Sequence, residues 1–585
     1  MGARACRLLA CWVVALLAMQ CGLASGRVVG PAAAAPPEPP AVRVPARYLQ
    51  QVVRWHPCDF DLLVRSIVPS APRTLCADVV VPMDWRHPDD HPDITLAIAL
   101  SLATGRSQGL LTLNPGGPGV EALDATAFFA TEQPRMFAEF DLLGFDPRGF
   151  GQSTAAGCST TSDALAALPA VPDRRVRSRA THRSEVATAR LEARSCTAEL
   201  NRFVGTQQTV HDLEFLRAYL QSGRPAGETR YERLHYVGFS YGTWLGAWYA
   251  DTYPSRTGRF LLDSNMDWTA SMEKNQSSIS SSFQRRRDRM FFPWVARHAK
   301  TYRLGSSAAA VRRSYERIRA GLLRSYADGR SPVSAADLDR ELATNLYSNV
   351  DFPQAAQTML DYAQLAQPAG ERRGTGARSS VGRADADDGV SWDASMTVRC
   401  NDRAWSRDVA AVQRRTDAAA ARYSFVGYWD ALTMCSYWPH RPTSRTSRTV
   451  DLAGAPQVLM VQSEGDPVTG YEGALAAHRA VPAHTRLVSV ADEGQHGVYL
   501  SGVSPCVESI GDAFLFRGRL PATDTVCGTT PLPGDRSVFP LRGPVAGAGH
   551  QPAAPMAQGS GRAHRTAAQE AVQKIRRRVA VAELG

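Results

Sequence analysis

The sequence predicts an α/β fold: a mostly parallel sheet with helices on both faces and a helical lid inserted into it. Three observations carry this expectation. From "VRWHPC" to about Asp263, strand-like and helix-like runs alternate, with "GLLTLNPGG", "FDLLGFD" and "RLHYVGF" as strands and "TVHDLEFLRAYL" as an amphipathic helix between two of them. Such alternation implies parallel strands joined by covering helices. Helical patterns then dominate ("AAAVRRSYERIRAGLLRSYA", "AADLDRELATNLYSN", "FPQAAQTMLDYAQLA") before the alternation returns at "APQVLMVQSEGDP" and runs to about Gly534. The third observation is a serine between two glycines, "GFSYG", at a junction from strand to helix.

Taken in order, the segments read as follows. Arg4 and Arg7 precede an apolar run from Leu8 to Met19 and small residues ending near Gly26, so 1–26 reads as a secretory signal, too short for a membrane anchor. Cys21 would be the point of lipid attachment, but Gln20 before it is larger than the residue usual there. Residues 27–45 are an Ala/Pro-rich linker. The sheet domain spans 46–265 and 449–534, interrupted by the lid at 266–448, in which "GERRGTGARSSVGRADADDG" reads as a disordered loop. Residues 535–585 form a basic, low-complexity tail expected to lack fixed packing. With no other apolar run long enough to span a bilayer, the expectation is a secreted, extracellular protein without stable membrane association.

The 585-residue chain has a formal charge of +10, but the tail from 541 carries +5 and the leader +2. A body at +3 offers no electrostatic footprint for nucleic acid. Beyond the three leader cysteines, eight remain in neighbouring couples: Cys58 and Cys76, Cys158 and Cys196, Cys400 and Cys435, Cys506 and Cys527. An even count in an exported protein suggests four disulfides, with buried free thiols as the alternative. No C-x-x-C or Cys/His cluster suggests a metal, and no cofactor is expected.

The G-x-S-x-G pattern occurs twice, at Ser107 ("GRSQG") and at Ser240 ("GFSYG"). A nucleophile elbow needs a strand before the serine and a helix after it. Ser240 has both: "RLHYVGF" precedes it, and "YGTWLGAWYADTYP" follows with apolar residues at helical spacing until Pro254. Ser107 lies between two strand-like runs and reads as a turn. A serine nucleophile needs a base and an acid to orient that base, in the chain order Ser, acid, His on loops after late strands. Asp466 follows the strand in "QVLMVQSEGDPVTG", and His496 follows the strand in "TRLVSVADEGQHGVYL". Their rivals, Glu464, Asp492, Glu493, His478 and His484, sit less favourably in the same loops or in the helix between them. Oxyanion donors would be the amide of Tyr241 and a backbone amide of "NPGGPG", where Gly116 and Gly117 allow close approach.

These landmarks, together with "FDPRGFGQS", "RCNDRAW" and "VLMVQSEGDPVTGYEGA … GQHGVYLSGVSPCVE", resemble the secreted tripeptidyl aminopeptidases of actinobacteria, α/β-hydrolases related to proline iminopeptidase. The resemblance runs from about Trp55 to about Gly534. It implies Ser240 as nucleophile, Asp466 as acid, His496 as base, and Gly117 and Tyr241 as oxyanion donors. The cysteine couples also look like the family's disulfide pattern. Two residues depart from it. Asn114 stands where related iminopeptidases carry histidine, and Gln495 separates Gly494 from His496, where the family usually places glycine directly before the histidine. The implied activity is release of short peptides, tripeptides by the resemblance, from free N-termini of peptide or protein substrates. Asp402 in "RCNDRAW" is the candidate for the substrate ammonium, with a helix or turn cap as its alternative role. A carboxylesterase or lipase on the same fold, and a catalytically silent binding protein, are the competing expectations.

Overall fold

The computed structural model describes residues 44–545, apart from 159, 161, 169–170, 225–226, 329–330, 332, 368–391, 431 and 441–448. The expected signal segment, nearly all of the Ala/Pro-rich linker, the polar stretch of the lid and the tail beyond 545 lie outside the described residues.

Ten strands form one sheet: β1 (His56–Pro57), β2 (Leu75–Pro82), β3 (Asp93–Ser101), β4 (Leu110–Asn114), β5 (Asp141–Phe145), β6 (Leu234–Phe239), β7 (Thr257–Asp263), β8 (Val458–Ser463), β9 (Thr485–Val490) and β10 (Thr525–Cys527). Their order is β1-β2-β3-β5-β4-β6-β7-β8-β9-β10. Pairing is antiparallel from β1 through β3 to β5 and parallel from β5 to β10. This is the α/β-hydrolase arrangement, with the lid entering between β7 and β8.

The central strands are apolar on both faces because both are covered. Leu110, Tyr236, Leu262, Met460 and Leu487 join a core under the helices Thr206–Ser222 and Tyr241–Thr252. Their neighbours Leu111, Val237, Leu261, Val461 and Val488 point the other way, into a core under Ala125–Glu132 and Pro505–Arg517. That is the two-residue period of a strand applied to a sheet buried on both sides. A third core belongs to the lid, where Phe283, Phe291, Trp294, Leu322, Leu342, Phe352 and Phe425 pack together.

Two features modify the sequence-based segmentation. The helix Arg179–Ser195, inserted between β5 and β6, packs with lid residues: Ala189 meets Val412 and Leu432, and Ala193 meets Met396 and Met434. The lid is thus a joint product of two insertions. The chain after Gly534 also remains packed for some way: Leu541 is buried in the lid core, and its amide donates to Asp492 at 2.7 Å.

The four disulfides pair neighbours: Cys58–Cys76, Cys158–Cys196, Cys400–Cys435 and Cys506–Cys527. Cys196, Cys400 and Cys435 share one apolar cluster, so the second and third bridges tie the two insertions at one place.

The "FDPRGFGQS" motif is a brace for this frame. Asp146 accepts the amides of Ala122 (3.0 Å), Leu123 (2.9 Å) and Gln152 (2.8 Å). Arg148, fully buried, forms a two-point pair with Asp212 at 2.6 and 2.7 Å and donates to the carbonyls of Pro82 and Met83. Asp212 also accepts from Trp85 Nε1 at 2.7 Å. Removing one partner of such a pair leaves a buried charge uncompensated. Asp212→Ala is therefore expected to cost about 3–5 kcal/mol in a denaturant titration. Asp89→Ala, which breaks a pair whose side chains are 47% and 75% exposed, should cost less than about 1 kcal/mol. Equal losses from the two would contradict this account.

Candidate active site

Ser240 sits between β6 and the helix Tyr241–Thr252, with φ 53° and ψ −122°. Holding a non-glycine residue there costs on the order of 1–3 kcal/mol, and the surrounding contacts show how it is held. A Cβ on Gly238 would lie 2.5 Å from the Gly242 carbonyl oxygen, and one on Gly242 would strike the Asn114 carbonyl. The two glycines of the pattern therefore let strand, turn and helix close on each other. Ser107, by contrast, sits in the turn between β3 and β4, where its hydroxyl bonds within the turn to Gly109.

Asp466 follows β8 and is fully buried. Its carboxylate accepts the amides of Val468 (2.8 Å) and Thr469 (2.9 Å) and the Thr469 hydroxyl (3.1 Å). His496 Nδ1 lies 3.0 Å from both carboxylate oxygens. An ionised carboxylate only accepts, so Nδ1 carries the proton and Nε2 is left with its lone pair as a base. The serine turn and the histidine loop share one support at the end of β7. The Asp263 carbonyl accepts the Ser240 amide at 3.1 Å, while its carboxylate accepts the amides of Val498 (2.8 Å) and Tyr499 (2.6 Å). Ser264 Oγ accepts the Gly497 amide at 2.8 Å. Burial pushes the Asp263 carboxyl up to about 7, against the pull of those amides.

The lid grips the same loop from above. The Tyr347 carbonyl accepts the His496 amide at 2.9 Å, and the Tyr347 ring stands edge-on to the imidazole at 5.4 Å. Gln495, the residue that departs from the family pattern, accepts the Asn349 amide at 2.8 Å through its side chain, and its carbonyl accepts Ser463 Oγ at 2.8 Å. Glu493 accepts from Asn349 Nδ2 at 2.8 Å. Arg286, fully buried, donates to the Leu346 carbonyl (3.0 Å) and to Asn349 Oδ1 (2.7 Å). Burial lowers its guanidinium to about 10, against the attraction of Glu493 and Asp466. Gln495 is thus the peg that joins the histidine loop to the lid.

On the oxyanion side, the Gly116 amide donates to Asn114 Oδ1 at 3.1 Å, and a Cβ on Gly116 would lie 2.8 Å from Ser240 Cβ. That proximity places Gly117 and the start of the Tyr241 helix beside the hydroxyl. Gly117, Ser240, Met272, Gln276, Arg399 and Thr469 line one small cavity of about 30 Å³. Arg399 was not singled out from the sequence. It comes from "RCNDRAW", donates to the Gly117 carbonyl at 2.7 Å and to Gln276 Oε1 at 2.5 Å, and brings a positive charge next to the serine.

Asp402 of the same motif does not reach this cavity. Its carboxylate is 1% exposed and accepts the Thr206 amide at 2.8 Å and the Thr206 hydroxyl, at the start of the helix Thr206–Ser222. Burial raises it to about 7. The cap role considered from the sequence is the one the geometry supports, because Thr206 stands between this carboxylate and the Tyr241 hydroxyl, 2.6 Å away. The other rivals are also engaged elsewhere: His478 with Thr485 and Asp524, and Glu464 with the amides of Asp492 and Val545.

The chain is similar to proteins named as peptidases and as an esterase. Residues 422–527, which include Asp466 and His496, match the family model described as "TAP-like protein". A tripeptidyl aminopeptidase of Streptomyces lividans is 29% identical over 505 residues, covering 83% of this chain and 89% of that one. Serine protease Hip1 of Mycobacterium tuberculosis is 28% identical, covering 82% and 91%. Carboxylesterase B of the same species is 27% identical, covering 85% and 94%. The resemblance to tripeptidyl aminopeptidases drawn from the motifs therefore extends over most of the chain.

Two sets of variants test the geometry. Ser240→Ala and His496→Ala should each lower turnover by several orders of magnitude, Asp466→Asn somewhat less, and Ser107→Ala not at all. Arg399→Gln and Asp263→Asn should reduce kcat on the order of 10–100-fold with little change in KM, since they displace donors or the base without removing them. Loss of activity in Ser107→Ala, with Ser240→Ala still active, would refute the assignment.

Proposed function

We propose that this α/β-hydrolase, similar along most of its length to tripeptidyl aminopeptidases, is a serine exopeptidase that releases short peptides from free N-termini outside the cytoplasm. The observation that carries the reading is the buried Asp466–His496 pair fixed to the same strand end as the strained Ser240 turn. In this reading Ser240 Oγ attacks the peptide carbonyl as His496 Nε2 takes its proton. The amides of Gly117 and Tyr241 hold the oxyanion. His496 then protonates the departing amine, the C–N bond breaks, and water repeats the sequence on the acyl-enzyme. Asp466 keeps the imidazole in the required tautomer throughout.

The larger cavity near the site suits a peptide better than a fatty acyl chain. Thr469 and Asn275, which line the small cavity beside Ser240, also line a larger one of about 530 Å³ under the lid helix Met272–Arg286. That volume lies within the range of about 300–1,000 Å³ usual for ligand sites. Its walls are polar and carry two carboxylates, Asp267 and Glu472, beside the cations Lys274, Arg285, Arg289 and Arg422. Glu472 is engaged by Arg285 through two hydrogen bonds of 2.6 and 3.1 Å. Asp267 accepts the amide and hydroxyl of Thr269 through Oδ1 and attracts the Arg403 guanidinium, and as a carboxylate on this wall it replaces Asp402 as the group proposed to meet a substrate ammonium. Four disulfides support an oxidising environment, and among the described residues no helix is long and apolar enough to cross a membrane.

The test is a comparison of tripeptidyl p-nitroanilides with free and acetylated amines. A charged hydrogen bond in a partly dry site is worth roughly 1.5–3 kcal/mol, so acetylation should lower kcat/KM by about tenfold to a hundredfold. Asp267→Asn should narrow that gap. Equal cleavage of free and blocked peptides, with acyl esters preferred to both, would move the protein to the esterase reading that its likeness to carboxylesterase B suggests.

A further inference from the structure

A third cavity borders the site and is lined in part by His496. It has a volume of about 70 Å³, and its wall is mostly carbon, with Leu113, Phe128, Phe239, Tyr347 and Tyr499 around His496. Phe239 precedes the serine, and its ring meets Phe128 edge-on at 6.5 Å. Gly497, next to the histidine, lies against the same ring: a Cβ there would sit 3.5 Å from Phe239 Cδ1. The cavity lined by Ser240, Gly117 and Arg399 is a different space, and no residue lines both. Ser240 lines that space and His496 the apolar one: the former mixes Asn275, Gln276, Arg399 and Thr469 with Met266, Met272, Ile279 and Val468, while the latter is almost wholly apolar.

Acyl transfer itself divides a substrate in this way. The acyl carbonyl must face the oxyanion donors, and the leaving group must lie where the imidazole can hand it a proton. We infer that the apolar cavity is the leaving-group subsite, and that it takes the side chain of the residue just after the cut bond, with preference for an aliphatic one. Size sets the second part. A dry protein cavity of about 150 Å³ binds benzene, so roughly half that volume suits valine or leucine and not an indole. The inference rests on the peptidase reading for the identity of the leaving group. It does not need that reading for the cavity's place in the reaction, because an ester's leaving group would occupy the same side.

The experiment uses the reverse of the first step. A tripeptide p-nitrophenyl ester with a free amine acylates Ser240, and the acyl-enzyme is then divided between water and an added amino-acid amide. The amine nitrogen attacks the ester carbonyl, His496 takes a proton from that nitrogen, the C–Oγ bond breaks, and the proton returns to Ser240 Oγ. A new peptide bond is the product. Valinamide and leucinamide should capture the acyl group at least about tenfold better than glycinamide, the scale on which a hydrophobic pocket senses small changes in aliphatic size. Tryptophanamide and the α-amide of aspartic acid should do no better than glycinamide. Phe128→Ala should shift the preference toward larger apolar amides, and Leu113→Ala supplies the same measurement if the first variant does not fold.

Equal capture of all amides, or best capture of the charged one, would overturn the assignment. So would a Phe128→Ala effect that follows the residue on the acyl side and ignores the added amide. If tripeptide substrates are refused while a simple acyl ester is accepted, the peptidase reading fails. The same partition, run on that simple acyl-enzyme, still decides the role of the cavity.

Discussion

The catalytic arrangement depends on one buried carboxylate at the end of a central strand. Asp263 holds the Ser240 amide with its carbonyl and the amides of Val498 and Tyr499 with its side chain. Ser240 and His496 arrive from segments more than two hundred residues apart, and Asp263 ties their two loops to one strand end. Its neighbour Ser264 repeats the device on Gly497. Placing a carboxyl there is costly, as its rise to about 7 indicates, and three donors offset the cost. A scaffold that fixes reacting groups through their main chains leaves the side chains free to move protons, which is what acyl transfer requires.

From the same point the lid becomes part of the active site and not merely a cover. Tyr347, Asn349 and Arg286 reach the loop that carries His496, and Gln495 is built into that contact. On the other flank the lid supplies Arg399, which holds the Asn114–Gly119 loop by the Gly117 carbonyl. The helix carrying Arg399 is itself tied down by Cys400–Cys435 and by Asn401, whose amide donates to the carbonyls of Asn201 and Val204 at 2.6 and 2.8 Å. "RCNDRAW" is thus a structural clamp in three of its residues and a supplier of charge to the site in one.

Much of the fold was legible because its signals are local. The period of two in the strands and the return of alternation after the helical block both survive in sequence order, and so do the neighbouring cysteine couples. The elbow was legible for the same reason, since glycine spacing and a change of period fall within a few residues of Ser240. Asp466 and His496 could be read as a pair because each ends a strand-like run in the required order. What escaped is carried by contacts across the chain. Arg399 meets Gly117 over a separation of 282 residues, and nothing near "RCNDRAW" distinguishes its arginine from its aspartate as the group facing the serine. For Asp402 the sequence left substrate anchor and cap both open, because burial has no local signature in a polar, cysteine-flanked motif. Asp263 ended a recognisable strand, yet its role required knowing which loop returns to it. The packing of 535–545 was hidden by low complexity, since its anchors are scattered: Leu541 in the lid core, and Asp535 and Phe539 on Arg297.

Covalent trapping addresses the central claim most directly. A tripeptidyl phosphonate diphenyl ester with a free amine should modify the protein once, with the adduct mapped by mass spectrometry to Ser240. The modification should disappear in His496→Ala, and acetylation of the inhibitor's amine should slow it by about tenfold or more. An adduct at Ser107 or any other residue, or labelling of Ser240 at the same rate with the blocked inhibitor, would contradict the account of a histidine-activated elbow serine that reads a free N-terminus.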